Sequence, residues 1–362
     1  MKKKRRRLKK SVKRFLLFML TIIIIIVLWK VEYNYNIRPV SSKSKPVDYE
    51  VTSGSTYMSL ANSLKQQGLI RSKLFYKIYV KTHKVGNLNV GVYELNANMS
   101  VKEIVAMLAS NKTNKLSITF REGLNIRQMA DIIAKKTNTK KEDFINLLKD
   151  TSYLDSLISK YWFLTDEIKN PSIYYSLEGY LLPDTYTFDV NNASQKEIVK
   201  AMLDNMDKKL KPYKSEIEKS NYTVHQVLTV ASMVELEAIS NSDRENVARV
   251  FYNRLKRGMS LGSDVTTYYG VKINVGERDL YSAEISAANS YNTRSSSLNG
   301  KLPVGPICNP SIDAIKESIN PKENNYLYFV ADKNRKLYFT NTASEHTKIV
   351  AKLKKEGLWY EW

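Results

Sequence analysis

The sequence predicts an α+β protein with an N-terminal transmembrane helix, a small α/β subdomain and a larger mixed α+β domain. Three observations support this architecture. An apolar run of fifteen residues starts at Phe15, short strand–helix patterns follow from about residue 48, and denser helical periodicities separated by loops begin near residue 116. With 362 residues and an apolar content of 43%, the chain is long enough for two folded domains and an appendage.

The N-terminal segment predicts one membrane anchor. Residues 1–14 contain ten lysines or arginines and no acid, and the apolar run Phe15–Trp29 follows directly. The apolar run is shorter than the ~20 residues that usually cross a bilayer, but Arg14 and Lys30 can snorkel and Trp29 suits the interface. A signal-peptide core also has this length, but no Ala-x-Ala-like cleavage site follows it.

The charge distribution predicts the topology. Because the positive-inside rule keeps the basic end in the cytoplasm, we expect a cytoplasmic tail over 1–14, a single-pass anchor in the cell membrane over 15–30 and an extracytoplasmic part over 31–362. A nucleic-acid-binding arm is excluded, because the five consecutive isoleucines after the tail belong in lipid. The rest of the chain keeps +11 of the net charge of +21, which fits a polyanionic partner and equally an ordinary basic surface.

A small repeated pattern follows the anchor. Residues 31–47 have the composition of a linker, and residues 48–115 predict a small subdomain. Each copy of the pattern is a strand, a glycine turn and a helix, with Gly54 of the first copy corresponding to Gly123 of the second. Such units resemble the LysM modules that bind amino-sugar polymers, although a chance match between generic α+β pieces explains the pattern equally well.

Residues 116–362 are predicted to form the larger domain. Helical periodicity covers five segments, at 126–136, 141–149, 195–210, 223–239 and 245–256. A capping-box pattern at Ser242–Glu245 opens the last of these, and Gly258 stops it. Beyond residue 260 the pattern changes to loops and strands, with a hairpin over 326–340 and a final helix over about 344–355.

One glutamate stands out in the fourth of these helices. At about 100° per residue, Glu235 projects between Val224 and Leu228 within the apolar stripe, whereas Glu237 projects to the polar side. An apolar setting destabilises a carboxylate and favours the protonated form that a general acid needs. The alternative for a lone glutamate is a salt-bridged carboxylate at the edge of the core.

Other common chemistries have no support in the sequence. The three histidines have no metal-ligand spacing, and neither a Gly-x-x-x-x-Gly-Lys loop nor a Gly-x-Ser-x-Gly elbow is present, so we predict no metal and no cofactor. The single cysteine, Cys308, excludes an internal disulfide and has no base beside it in sequence. What remains is a carboxylate among Tyr, Asn, Ser and Pro-Gly loops, a composition typical of a carbohydrate cleft.

Four ordered groups of motifs resemble the YceG-like endolytic murein transglycosylases, and the resemblance covers about residues 46–355. They are Leu177-Glu-Gly-Tyr-Leu-Leu-Pro-Asp-Thr-Tyr186, Ala231-Ser-Met-Val-Glu-Leu-Glu237, Val250-Phe-Tyr-Asn-Arg-Leu255 with Met259-Ser-Leu-Gly-Ser-Asp264, and Tyr291-Asn-Thr293 with Leu302-Pro-Val-Gly-Pro-Ile-Cys-Asn-Pro310 and Glu345-His346. The resemblance implies cleavage of the β-1,4 bond between N-acetylmuramic acid (MurNAc) and N-acetylglucosamine (GlcNAc). It also implies a single acid, and Glu235 matches the family's catalytic glutamate by position.

The same resemblance implies a set of substrate-binding residues: Glu178, Glu237, Asn253, Arg254, Ser263, Asp264, Thr266, Tyr291, Asn292 and Asn309. For the Tyr291 ring we expect partial exposure and packing on a sugar face. Structural roles remain open for the others, including capping, turn formation and an Arg254–Glu237 ion pair. His346 is expected to be a structural histidine.

The sequence therefore predicts a membrane-anchored endolytic transglycosylase that trims nascent peptidoglycan strands. The expected partners are glycan strands, membrane lipid around residues 15–30 and proteins of cell-wall synthesis and elongation. Two alternatives remain: a non-catalytic scaffold that binds peptidoglycan without cutting it, and a polyanion-binding surface protein with strongly salt-dependent binding.

Overall fold

The computed structural model describes six stretches of the chain, residues 10–52, 54–110, 115–137, 139–189, 193–238 and 240–359. Most of the predicted basic tail, residues 1–9, lies outside them. The chain divides into two compact units. The first comprises Met1–Ser117 and Thr187–Asn191, and the second comprises Ile118–Tyr186 and Asn192–Trp362. The overall class is mixed α+β with one apolar N-terminal helix, as predicted.

The N-terminal helix α1 (Lys10–Asn36) extends beyond the predicted anchor at both ends. Its segment Ser11–Asn36 is long and apolar enough to cross a membrane, and its apolar window is not buried against the rest of the protein. The helix continues past the apolar run because Tyr33 packs against the core of the first unit, as does Ile37 just after the helix.

The first unit combines short strands with three helices. They are β1 (Pro46–Val51), α2 (Tyr57–Gln66), α3 (Lys73–Thr82), β2 (Gly91–Asn96) and α4 (Val101–Ala109), followed by β3 (Lys115–Thr119), which runs into the second unit. β1 and β2 pair antiparallel from Pro46↔Asn96 to Val51↔Gly91, within a sheet of order β1-β2-β3-β4. Tyr49 and Val51 of β1 point into the apolar core.

The predicted internal repeat is present in the described structure. β1 and α2 form its first copy, and β3 and α5 (Ile126–Lys136) form its second. Both turns need a positive φ, which glycine adopts without steric cost, and φ is +83° at Gly54 and +77° at Gly123. Both helices then begin with a capping box, from Thr56 and Asn125.

The second unit is mainly helical. After α5 its elements are α6 (Lys141–Leu147), α7 (Thr151–Ile158), β4 (Thr185–Asp189, shared with the first unit), α8 (Gln195–Leu210), α9 (Lys214–Lys219), α10 (Val224–Glu237), α11 (Asn241–Lys256), α12 (Asp264–Gly270), α13 (Ser282–Ile285), α14 (Ile312–Ile319), β5 (Tyr328–Ala331), β6 (Leu337–Thr340) and α15 (Ala343–Lys355). β5 and β6 form the predicted antiparallel hairpin, with Phe329 opposite Phe339.

Two sequence predictions for this unit were wrong. α11 begins before the predicted capping box, because Ser240 is the N-cap and forms its box with Asp243. Helices α12, α13 and α14 occupy a region predicted as loops and strands. α12 and α13 are short, at seven and four residues, and α12 carries buried threonines, so apolar periodicity does not reveal them. The eight-residue α14 does have an apolar stripe, with Ala314, Ile315 and Ile319 buried, and the sequence interpretation missed it.

α10 is the central helix of the second unit and packs against α11, α12 and α14. It is buried at His225 and at every position from Val227 to Val234, including the polar Thr229 and Ser232. Apart from Val224 and Gln226 in the first turn, only the last turn of α10 is less than fully buried. That turn carries Glu235 and Glu237.

Candidate active site

Glu237, the last residue of α10, lines a cavity of about 410 Å³. The other walls of this cavity come from α11, the loop before α12, Arg294, the β5–β6 hairpin, α15 and the chain just after it. The volume lies within the range of small-molecule sites. A carboxyl at a helix C-terminus faces the negative end of the helix dipole, so the fold itself does not favour an anion here.

The groups around Glu237 shift the pKa of its carboxyl in both directions. Burial raises the pKa of the Glu237 carboxyl, and the negative charge of Asp264 acts in the same direction. The Ser263 hydroxyl donates a 2.6 Å hydrogen bond to Oε1 and lowers this pKa, as do the charges of Arg294 and Arg254. The net upward shift keeps the carboxyl protonated to a higher pH than an exposed glutamate.

Glu235 has different surroundings from those the sequence predicts. Its Oε2 accepts hydrogen bonds from the Ser311 backbone N–H at 3.0 Å and from the Ser311 hydroxyl at 2.5 Å. Arg244 Nη2 lies 3.5 Å from its Oε1. Ser311 is the N-cap of α14, so the carboxylate also faces the positive end of that helix. The expectation of an apolar setting was therefore wrong, and Glu235 ties α10 to α11 and α14.

Two residues of α11 hold the β5–β6 side of the unit. Asn253 Nδ2 donates to the carbonyls of Asn324 and Tyr326, both at 2.9 Å. Arg254 lines the cavity, but its guanidinium donates to the carbonyls of Leu327 at 2.6 Å and Leu261 at 2.7 Å. Asn253 thus has a structural role, whereas Arg254 both braces the loops and brings a positive charge to the cavity.

The predicted site residues around the start of α12 differ in their exposure to the cavity. Ser263 and Asp264 line the cavity, and Asp264 forms an ion pair with Arg294 at its rim. Thr266 is fully buried and bonds instead to the Ser263 carbonyl at 2.7 Å and the Thr293 hydroxyl at 2.8 Å. Its predicted contact with substrate was therefore wrong, because its hydroxyl fixes the loop.

The Tyr291-Asn292 pair lies in the core. The Tyr291 ring is fully buried, with the rings of Tyr174 and Tyr269 both 4.7 Å away, and its hydroxyl accepts a 3.2 Å hydrogen bond from the Tyr174 N–H. Asn292 is also fully buried. Its side-chain oxygen accepts a hydrogen bond from the Thr267 hydroxyl, and its Nδ2 donates to the carbonyls of Ile285 and Ala287. The expected exposed sugar platform at Tyr291 was wrong.

Glu178 and Asn309 form a second buried polar cluster. Glu178 accepts hydrogen bonds from the Ile126 N–H at the start of α5, the Tyr269 hydroxyl and Asn309 Nδ2. Asn309 also accepts from the N–H groups of Gly179 and Leu181, both at 3.0 Å. Both side chains are at most 1% exposed, so the predicted contact with substrate was wrong. Their role is to join α5 to the motif around Gly179.

The sequence interpretation missed part of the cavity wall. The β5–β6 hairpin contributes Phe329, Val330, Ala331 and Leu337, and Trp359 contributes from beyond α15. His346 lines the cavity too, and among the described residues its buried Nδ1 has no hydrogen-bond partner, so the expectation of a satisfied structural histidine was wrong. The hairpin was predicted, but a strand pattern alone does not indicate that it borders a cavity.

The chain is similar to a known family and to several of its members. The sequence profile of the YceG-like family matches residues 49–352. A Bacillus subtilis (strain 168) protein named endolytic murein transglycosylase is 35% identical over 319 residues, covering 87% of each chain. A Streptococcus pneumoniae (strain D39) protein of the same name is 32% identical over 336 residues, which cover 87% of this chain but only 60% of that longer protein.

A solved structure shares the fold. The crystal structure of a yceG-like protein from Listeria monocytogenes superposes with a TM-score of 0.61 at 32% sequence identity. It covers 85% of this chain and 100% of the Listeria chain.

Proposed function

This chain belongs to the YceG-like family, and we propose that it is a membrane-anchored endolytic lytic transglycosylase acting on peptidoglycan. The proposal rests on relatives named endolytic murein transglycosylase that match most of the chain, and on the apolar helix α1. The substrate is the glycan strand, cut at the β-1,4 bond between MurNAc and GlcNAc.

The proposed reaction uses no water. As the bond between MurNAc C1 and the GlcNAc O4 breaks, an enzyme acid gives its proton to O4. The MurNAc C6 hydroxyl oxygen then bonds to C1, and its proton returns to the same carboxylate. The products are a GlcNAc with a free 4-hydroxyl and a 1,6-anhydro-MurNAc end. A hydrolase needs a second carboxylate to activate water or attack the sugar, whereas here the nucleophile belongs to the substrate.

We assign the acid to Glu237, and the observation that carries this is its position in the cavity wall with a raised pKa. A general acid must hold its proton until the leaving group needs it, and the upward shift favours that state. The sequence pointed to Glu235 instead. However, Glu235 is not among the described residues lining this cavity, and its carboxyl already accepts hydrogen bonds from Ser311 and lies beside Arg244.

Two isosteric variants test this assignment. The full-length protein, solubilised in detergent, is incubated with glycan strands stripped of their stem peptides, and the products are weighed by mass spectrometry. Wild-type products are expected to end in 1,6-anhydro-MurNAc, one water lighter per cut than hydrolysis products. Glu237→Gln is expected to lose at least about 10²–10⁴-fold in rate, because the amide cannot transfer a proton. Glu235→Gln is the matched control and is expected to cut the strands.

Each alternative predicts a different result. An inactive Glu235→Gln beside an active Glu237→Gln, both folded, would return the acid to Glu235. Reducing-end products from the wild type would mean a hydrolase with a second catalytic carboxylate. Binding of strands by the wild type without any cut would identify the non-catalytic scaffold.

The proposed location follows from α1 and the basic residues before it. With ten positive charges in residues 1–14, the N-terminus stays in the cytoplasm and residues 31–362 lie outside the membrane. There the first unit, which contains the first copy of the strand–helix pattern, would hold glycan in the manner of LysM modules, and cell-wall synthesis and elongation proteins would be near neighbours. A reporter fused after Trp362 that is active only outside the cytoplasm tests the topology, and cytoplasmic activity would contradict it.

A further inference from the structure

Trp359 is held at the cavity by backbone hydrogen bonds just after α15. Gly357 has a φ of +68° and ends the helix, and the Leu358 N–H then donates to the Leu353 carbonyl at 2.8 Å. The Leu358 carbonyl in turn accepts from the Lys333 N–H in the β5–β6 turn, also at 2.8 Å. The backbone of Leu358 is therefore hydrogen-bonded to both α15 and the hairpin, and these bonds position the backbone from which the Trp359 side chain extends.

Trp359 differs from the other aromatic residue in the same wall. Phe329 belongs to the apolar core, with Phe251 at 6.1 Å and Phe339 at 6.2 Å, so its ring already has packing partners. Trp359 is half-buried and is not part of that core. Lys354 Nζ lies 5.6 Å from the centre of its indole. A large aromatic surface thus borders the cavity outside the apolar core that holds Phe329.

The cavity is lined by both hydrogen-bonding and aromatic side chains. Glu237 and Ser263 form one wall, and His346 and Trp359 belong to the α15 side. Burial and the nearby Arg254 charge lower the pKa of His346, so the imidazole is neutral at pH 7. A pyranose ring carries an apolar C–H face and polar edges, which suit an aromatic plane beside neutral and charged hydrogen-bonding groups.

We propose that Trp359 is the sugar-stacking platform of this cavity and holds one pyranose ring of the glycan next to Glu237. The role that the sequence assigned to Tyr291 therefore belongs to a residue near the end of the chain, beyond residue 352, where the family match stops. Trp359 is a substrate-positioning residue that sets glycan affinity. This inference rests on the proposed function for the identity of the sugar polymer.

The experiment measures binding separately from cutting. In the Glu237→Gln background, which does not consume the strands, affinity for peptide-free glycan strands is measured with the full-length protein in detergent. Trp359→Ala is expected to weaken binding by about 5- to 30-fold, and Trp359→Phe to restore most of it, because phenylalanine keeps an aromatic plane. Tyr281→Ala is the matched control, since Tyr281 is an exposed aromatic under Arg278 that does not border the cavity.

Kinetics with Glu237 intact give a second readout. Trp359→Ala is expected to raise KM with a smaller effect on kcat, and thermal unfolding that matches the wild type excludes a folding defect. Unchanged glycan affinity and KM in Trp359→Ala would overturn the platform, as would loss of binding in Trp359→Phe equal to that in Trp359→Ala. If the wild type binds strands through Trp359 but never cuts them, the proposed function fails and the platform stands.

Discussion

The Ser263 hydroxyl donates a 2.6 Å hydrogen bond to Oε1 of Glu237. This contact stabilises the ionised carboxyl, whereas burial favours the protonated one, and burial is the larger influence on the pKa. The pair therefore tunes the pH at which the proposed acid loses its proton. Since Ser263 is the N-cap of α12, the position of that helix contributes directly to the chemistry of Glu237.

Removing this hydrogen bond should shift the pH profile of strand cutting. The acid must be protonated, so activity falls as pH rises through the raised pKa of Glu237. Ser263→Ala removes an influence that lowers this pKa, and the alkaline limb of kcat/KM is expected to move to higher pH. Ser286→Ala, just after α13, serves as the control. A limb that stays in place would mean that another group titrates in the reaction.

Glu235 is predicted to matter for stability more than for catalysis. Glu235→Ala leaves the Ser311 N–H and hydroxyl and the Arg244 guanidinium without their carboxylate. The free energy of unfolding is expected to fall by about 1–3 kcal/mol, with little change in the rate per folded molecule. Urea unfolding and strand-cutting assays test both parts, with Glu50→Ala on the exposed side of β1 as control. A stable but inactive variant would contradict this role.

The sequence predicts best where local signals decide the structure. Helices α5 and α8 have the predicted bounds, because Asn125 and Ser194 cap amphipathic segments whose buried residues follow a single helical stripe. α12 escaped prediction because it is short and largely buried, whereas α14 has an apolar stripe that the sequence interpretation missed. Their positions depend on contacts such as that between Ser311 and Glu235, which no local pattern contains.

Local sequence patterns also fail to assign the two carboxyls of the site. A helical projection separates Glu235 from Glu237 by angle, but α10 is buried on nearly all sides, so the apolar stripe does not distinguish core from cavity. The two carboxyls differ in their hydrogen-bond donors from other segments. Glu235 accepts from Ser311 at the start of α14, and Glu237 accepts from Ser263 in the loop before α12. The sequence does single out the helix turn to which both candidate acids belong.

Tyr291 is now predicted to be a stability residue. Tyr291→Ala empties a fully buried site between Tyr174 and Tyr269, and a large aromatic lost from a core costs about 3–5 kcal/mol. Tyr291→Phe keeps the ring and is expected to cost about 1–3 kcal/mol, because the Tyr174 N–H loses its acceptor. Thermal unfolding measures both. Full stability of Tyr291→Ala with weakened glycan binding would restore the sugar-platform role.

Glu178 should make stability depend on pH in an unusual direction. Burial raises the pKa of its carboxyl from 4.5 to about 8, although the hydrogen bonds from Ile126 and Tyr269 act in the opposite direction. Between these two values the folded state binds more protons than the unfolded state, so the free energy of unfolding falls as pH rises from about 4.5 to about 8. Surface carboxylates do not behave this way, but Glu237, whose pKa burial also raises, contributes in the same direction, so a Glu178 variant is needed to isolate the contribution of Glu178.

A variant without the titrating group tests this directly. Glu178→Gln keeps an oxygen acceptor for Ile126 and Tyr269 but has no proton to lose, so its stability is expected to vary less between pH 5 and pH 8, as the pKa of about 8 requires. The measurement is urea unfolding at both pH values for wild type and variant. Glu142→Gln, at an exposed glutamate of α6, is the control. If Glu178→Gln and the wild type lose the same stability over this range, the ionisation of Glu178 is not coupled to unfolding. The cluster that joins Glu178 to Asn309 and to α5 would then hold its carboxylate charged throughout.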